Sequence, residues 1–413
     1  VLTVGNNGRS TTYGGVLSGT SSGGGLTKIG TGTLTLTAAS TYTGTTGITT
    51  GVLQLGAGDT TGQVSASSVL ALANGRLVVN RSDAFSQAFA GTLLSGGGAV
   101  SANATNTVNF GAITRSAGGT LDIPTTGSFI TSSANVNGIL PAITYGGTTW
   151  AVSGTTTAIT GLAAGSYTTT TTNGNTAGNY AATQNLDVDS SPTLSGAIAA
   201  NSLRFADAAA PRTVTLTGSN TVSRGILVTA GVGANLSTIT GGTLAGSSGG
   251  DLVVIQNNTA AGLTISSTIV NNTSATALTK SGPGLLTLAA SNSYTGGTRL
   301  NDGTLSFVNG GLGASGNLTL AGGTLQWATG NTQDISSRIA LVPGGVATLD
   351  TNGNNVTGTA TIGSSAAAQF VKVGSGTLTA TTNNTAGLTV NAGRVNLNGF
   401  ANDPNNTITI NSG

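Results

Sequence analysis

Asp187 and Asp189 stand two residues apart, so on a strand their carboxylates share one face, as they would for a polysaccharide-cleaving site or a calcium ion. No second acid cluster accompanies them, and the favoured reading is a solvated strand face. Tyr145 and Trp150 lie in a stretch that also holds Tyr167 and Tyr180. Such aromatics can stack on a carbohydrate, although rings closing a local core are the commoner arrangement. The only lysines, Lys28, Lys280 and Lys372, each precede a Gly-x-Gly turn. They read as stems packed on an edge with the ammonium in water, or as contacts with an adjacent subunit. Composition closes most other chemistry. The chain has no His, Cys, Met or Glu, which removes histidine general bases, thiol chemistry and the common zinc sites, and leaves Ser with Lys as a formal nucleophile pair. The calcium-binding repeat Gly-Gly-x-Gly-x-Asp is also absent. No catalytic residue, cofactor or metal is expected.

The elements that must position these residues are short strands. Only 6% of the 413 residues are charged and 4% aromatic, a composition that suggests a low-complexity, disordered chain. The apolar pattern argues otherwise. Thr33-Leu34-Thr35-Leu36-Thr37, Thr213-Val214-Thr215-Leu216-Thr217 and Thr407-Ile408-Thr409-Ile410 alternate strictly, which puts aliphatic side chains on one face and hydroxyls on the other. Glycine and asparagine turns separate such runs. The best helical signal is Ser82 to Gly91, where Phe85 and Phe89 share an i,i+4 face. Yet Thr92 to Gly96, directly after it, echoes Gly15 to Gly19, and a strand is the better reading. Strands this short need neighbours above and below.

A cassette then fixes the architecture. Leu26-Thr27-Lys28-Ile29-Gly30-Thr31-Gly32-Thr33-Leu34-Thr35-Leu36 returns as Leu278-Thr279-Lys280-Ser281-Gly282-Pro283-Gly284-Leu285-Leu286-Thr287-Leu288, and a worn copy starts at Phe370. Tyr42-Thr43-Gly44 and Gly51 recur in register as Tyr294-Thr295-Gly296 and Gly303. Self-similarity of alternating strands and glycine turns is the mark of a solenoid. The cassette resembles the autotransporter-associated β-strand repeat, also called the passenger-associated transport repeat, closely from Leu26 to Gly56 and Leu278 to Phe307, and partially from Phe370 to Gly399. The resemblance implies an all-β, right-handed parallel β-helix, exported through a Gram-negative envelope to the cell surface, and it implies no activity. Three regions are expected: coils with the first cassette over 1–135, an aromatic and threonine-rich widened or looped region over 136–185, and coils with the other cassettes over 186–413.

The net charge is +2 with scattered basic residues, so no nucleic-acid footprint exists, and no run of about 18 apolar residues calls for membrane insertion. Flat threonine ladders could order water as ice-binding solenoids do, but the coil lengths look irregular. Both termini alternate without a cap: Val1, Leu2, Thr3 and Val4 at the start, Thr407, Ile408, Thr409 and Ile410 near the end. They are the candidate contacts of a head-to-tail homopolymer, or of flanking repeats in a longer chain. The expected function is a non-catalytic extracellular fibre subunit or adhesin scaffold. The alternative is a β-helix that binds or cleaves surface glycans through Trp150, Tyr145, Asp187 and Asp189.

Overall fold

A computed structural model describes residues 1–19, 24–154, 157–360, 368–381, 387–397 and 408–411. Its strands wind as parallel coils in two compact units, Val1–Ala163 and Ala164–Gly413. The fold is therefore an all-β parallel solenoid. In the first unit Leu2 lies beside Leu26, Leu26 beside Thr46 and Thr46 beside Leu70, always in parallel register. A second sheet runs from Thr11–Tyr13 through Thr33–Leu36, Val52–Leu55 and Arg76–Val79. Leu34, Leu53 and Leu77 form one inward column there, and Leu36, Leu55 and Val79 the next. All six are buried. Each such aliphatic side chain contributes about 1.5–3 kcal/mol when removed from water, so the columns hold the coils together.

The winding of the first unit ends in a different pattern. Ile143–Tyr145 pairs parallel with Leu121 to Ile123, but Thr149–Val152 and then Thr160–Gly161 add antiparallel. The second unit opens with the short strand Thr168–Thr169 and two 3-10 turns, Ala164–Ser166 and Ala177–Asn179. Between them lies the α-helix Thr170–Asn173, held by Thr169, whose hydroxyl accepts from Thr172 N at 3.1 Å. The boundary between units thus falls inside the 136–185 stretch, which is built of a meander and short helical turns. Beyond it, coils run in two long parallel sheets, one through Asp251–Gln256 and Ala277–Ser281, the other through Leu285–Leu288 and Thr304–Phe307.

Residues 82–91 form no helix; as the echo of Gly15 to Gly19 suggested, the stretch carries strand, Ser86–Ala88 and then the start of Gly91–Leu94. Phe89 is buried, while Phe85 carries the Arg81 guanidinium 3.8 Å above its ring. The two phenylalanines flank the strand Ser86–Ala88, and both pack on the core of the first unit.

Candidate functional site

The recurring chemistry of this chain is the lysine turn. In Leu26-Thr27-Lys28 alternation sends Thr27 outward and returns Lys28 to the inward column, in register between Val4 and Ile48. Lys280 stands between Val254 and Leu300, and Lys372 between Leu349 and Val390. Their exposures are 1%, 0% and 1%. The expectation of an ammonium in water, or of one facing another subunit, is overturned. The stem fills an aliphatic column and the nitrogen curls into the turn beyond it.

Backbone carbonyls receive it there. Lys280 Nζ donates to Ser281 O at 3.0 Å, Gly282 O at 2.6 Å and Asp302 O at 3.0 Å. Lys372 Nζ donates to Val373 O at 2.7 Å, Gly374 O at 2.8 Å and Ala392 O at 3.2 Å. Lys28 Nζ donates to Ile29 O at 2.6 Å and Gly30 O at 2.7 Å. An ammonium has three donors and no acceptor, so in Lys280 and Lys372 every N–H is matched. The third acceptor belongs to the next coil. The clasp therefore ties a turn to itself and to its neighbour.

A glycine completes each clasp. Gly51, Gly303 and Gly393 have φ of 69°, 71° and 73°, and a Cβ there would lie 2.7, 2.8 and 2.9 Å from the lysine nitrogen. Only glycine combines this left-handed backbone with so close an approach. Burial lowers the pKa of all three lysines, that of Lys280 to about 7, with the Asp302 carboxylate acting against the shift. The cassette tyrosines are buried as well. Tyr42 Oη bonds Thr46 Oγ1 at 2.8 Å and Tyr294 Oη bonds Thr298 Oγ1 at 2.5 Å. Burial raises the Tyr42 phenol to about 12.

The acids and aromatics singled out in the sequence have local partners within their own units. Asp187 is held by Arg204, with Nε to Oδ1 at 3.0 Å and Nη2 to Oδ2 at 2.6 Å, and that guanidinium lies 3.8 Å over the Tyr167 ring. Asp189 accepts from Thr170 Oγ1 at 3.0 Å and Thr171 N at 2.8 Å. Burial opposes its ionisation, but these hydrogen bonds outweigh it and lower its pKa. The two carboxylates thus serve separate partners. Trp150 is 0% exposed and presents no ring face to a sugar, while Tyr145 is half-buried and packed against the first unit's core. Among the described residues no three His, Cys, Asp or Glu side chains gather as a metal site would require, and no helix is long and apolar enough to cross a membrane.

At the chain ends, Val1 and Leu2 are exposed at 82% and 49%, Thr3 is exposed, and Val4 packs on the core. Ile408–Ile410 pairs with Leu388 to Val390, with Thr409 and Ile410 exposed. Thr407 lies outside the described residues, as do Gly399 and the end of the third cassette. Sequence reading missed Arg338, whose fork donates to the carbonyls of Leu312, Gly313, Ser315 and Gly316 at 2.8 to 2.9 Å. A lone arginine outside any motif gives no signal of that role.

Parallel coils with a repeated lysine clasp define a β-solenoid of the repeat class. Residues 26–55 and 278–307 match the passenger-associated-transport repeat, and the chain carries these two copies. The clasp at Lys372 repeats their geometry outside the matched segments. The chain is also similar to the adhesin BmaC autotransporter of Brucella suis biovar 1 (strain 1330), 36% identical over 189 residues, covering 42% of this chain and 6% of that relative. The chain thus spans only a small part of the curated relative's length. No solved structure matches it.

Proposed function

We propose that this chain is a stretch of an exported, surface-displayed passenger that works as a non-catalytic adhesin scaffold, and that its coil stack is extended in line by a second copy. The observation that carries the reading is the parallel stacking of coils within each unit, tied at three turns by the lysine clasp, in a chain similar to part of an autotransporter adhesin. Leu2-Thr3-Val4 and Ile408-Thr409-Ile410 share one pattern, and strand addition between them would continue both aliphatic columns and hydroxyl ladders. Its mechanism is mechanical: stacked, low-charge coils resist unfolding and hold a contact surface away from the cell.

Negative-stain microscopy of the purified chain, paired with an assay on a panel of acidic glycans, tests this. Fibres longer than one chain with no glycan turnover support the proposal. Lone particles overturn the in-line extension, and turnover of any glycan overturns the scaffold reading in favour of a polysaccharide-active β-helix.

A further inference from the structure

The lysine clasp has a property that burial alone does not explain. An apolar residue at the same position would fill the column equally well, as Ile48, Leu300 and Val390 do in the neighbouring coils. Replacing a buried ion by a well-packed apolar side chain is often neutral or stabilising. The lysine must therefore be distinguished by what only a directional, buried cation does.

Alternation of period two forbids a slip of one residue between coils, because every side chain would change face. A slip of two is different. It sets Phe370 against Val390 instead of Leu388, and both partners still point inward. The outward ladders discriminate little, since threonine follows threonine: Thr304 faces Thr324, and Thr324 faces Thr348. Neither burial nor hydroxyl pairing therefore fixes the register of these coils strongly.

The clasp does. Two of its acceptors belong to the lysine's own turn, but Asp302 O and Ala392 O come from the succeeding coil. A slip of two residues carries that carbonyl about 6.6 Å along the strand, beyond hydrogen-bond reach, and leaves a buried ammonium with a donor unmatched. It also moves Gly303 or Gly393 away from the lysine nitrogen, where a Cβ would lie only 2.8 or 2.9 Å from it. We infer that Lys280 and Lys372 are register locks, positioning residues that select which residue of one coil pairs with which residue of the next. Two such locks divide the nearly uniform threonine-rich ladder of the second unit into segments that cannot slide.

The absence of cysteine makes the test clean. In the full chain, Val371→Cys with Thr389→Cys reports the observed register, in which these residues are partners, and Val371→Cys with Asn391→Cys reports a slip of two. With Lys372 in place, mild oxidation should cross-link the first pair and leave the second reduced. With Lys372→Met we expect a folded β-sheet spectrum, but at least a tenfold rise in cross-linking of the slipped pair at the expense of the first. The same comparison at Lys280→Met uses Thr279→Cys with Arg299→Cys against Thr279→Cys with Asn301→Cys. Methionine variants that fold and cross-link only in the observed register would overturn the inference. Failure of both variants to fold would overturn it too, because the lysines would then supply stability rather than choice of register.

Discussion

At the scale of the residue, the clasp makes a sharp distinction between glycines that look alike in sequence. Gly303 and Gly330 both have a left-handed φ, of 71° and 81°. A Cβ at Gly303 meets the carbonyls of Gly282 and Gly284 and the Lys280 nitrogen, whereas at Gly330 it meets nothing within 4 Å. Gly330→Ala should cost about 1–2 kcal/mol, the left-handed penalty alone. Gly303→Ala adds an overpacking cost of about 1–3 kcal/mol, and denaturant midpoints of the two variants measure the difference. The lysines make a second prediction. Lys280 has a folded pKa of about 7 against an ordinary value of 10.5, so between those values the unfolded chain binds more protons. Stability must then rise with pH from about 7 towards 10. Lys28 and Lys372 shift in the same direction. Tyr42 and Tyr294 are shifted upwards by burial, so above pH 10 the unfolded chain loses phenolic protons first and stability falls again. With no histidine or cysteine to titrate, thermal unfolding between pH 6 and 11 should show a maximum near pH 10. In Lys280→Met the rise should shrink, on the order of a few kcal/mol. A flat profile in the parent chain would show that the carbonyl cage, not burial, sets the lysine pKa. The burial of these lysines was in fact legible in the sequence: strict alternation in Leu26-Thr27-Lys28 returns lysine to the side of leucine. The habit of assigning lysine to water hides that signal.

At the scale of the element, period two decides the energetics. Leu285 and Leu286 are adjacent in one strand, the first 37% exposed and the second fully buried between Leu263 and Leu305. Leu286→Ala should cost about 2–5 kcal/mol through the cavity it leaves, and Leu285→Ala no more than about 0.5 kcal/mol. Equal losses in urea denaturation would mean that the columns are not the source of stability. The strands were readable because apolar alternation survives in each coil. The helix Thr170–Asn173 was not. Its five-threonine run favours strand by side-chain shape, and a local contact, Thr169 capping Thr172 N, prevails over that preference. The fates of Asp187 and Asp189 were equally hidden, because Arg204, Thr170 and Thr171 reach them only once coils stack.

At the scale of the whole molecule, the repeat in the sequence announces a solenoid before any strand is placed, but it does not say how far cooperativity extends along the winding. In a solenoid each coil is stabilised by its neighbours, so unfolding propagates through coil-to-coil ladders and stops where a ladder stops. Among the described residues no sheet contains strands from both sides of the boundary between Ala163 and Ala164. On one side the winding gives way to antiparallel pairing at Thr149–Val152, and on the other it begins afresh at Thr168–Thr169. The full chain should therefore unfold in two calorimetric transitions. Leu77→Ala, in the first unit, and Leu305→Ala, in the second, remove comparable buried side chains. Each should lower one transition by the roughly 4–20 °C that a loss of about 2–5 kcal/mol produces in a unit of this size, and leave the other in place. If either substitution moves both transitions together, or if the parent chain melts in one cooperative step, stability passes between the units by a route other than strand pairing.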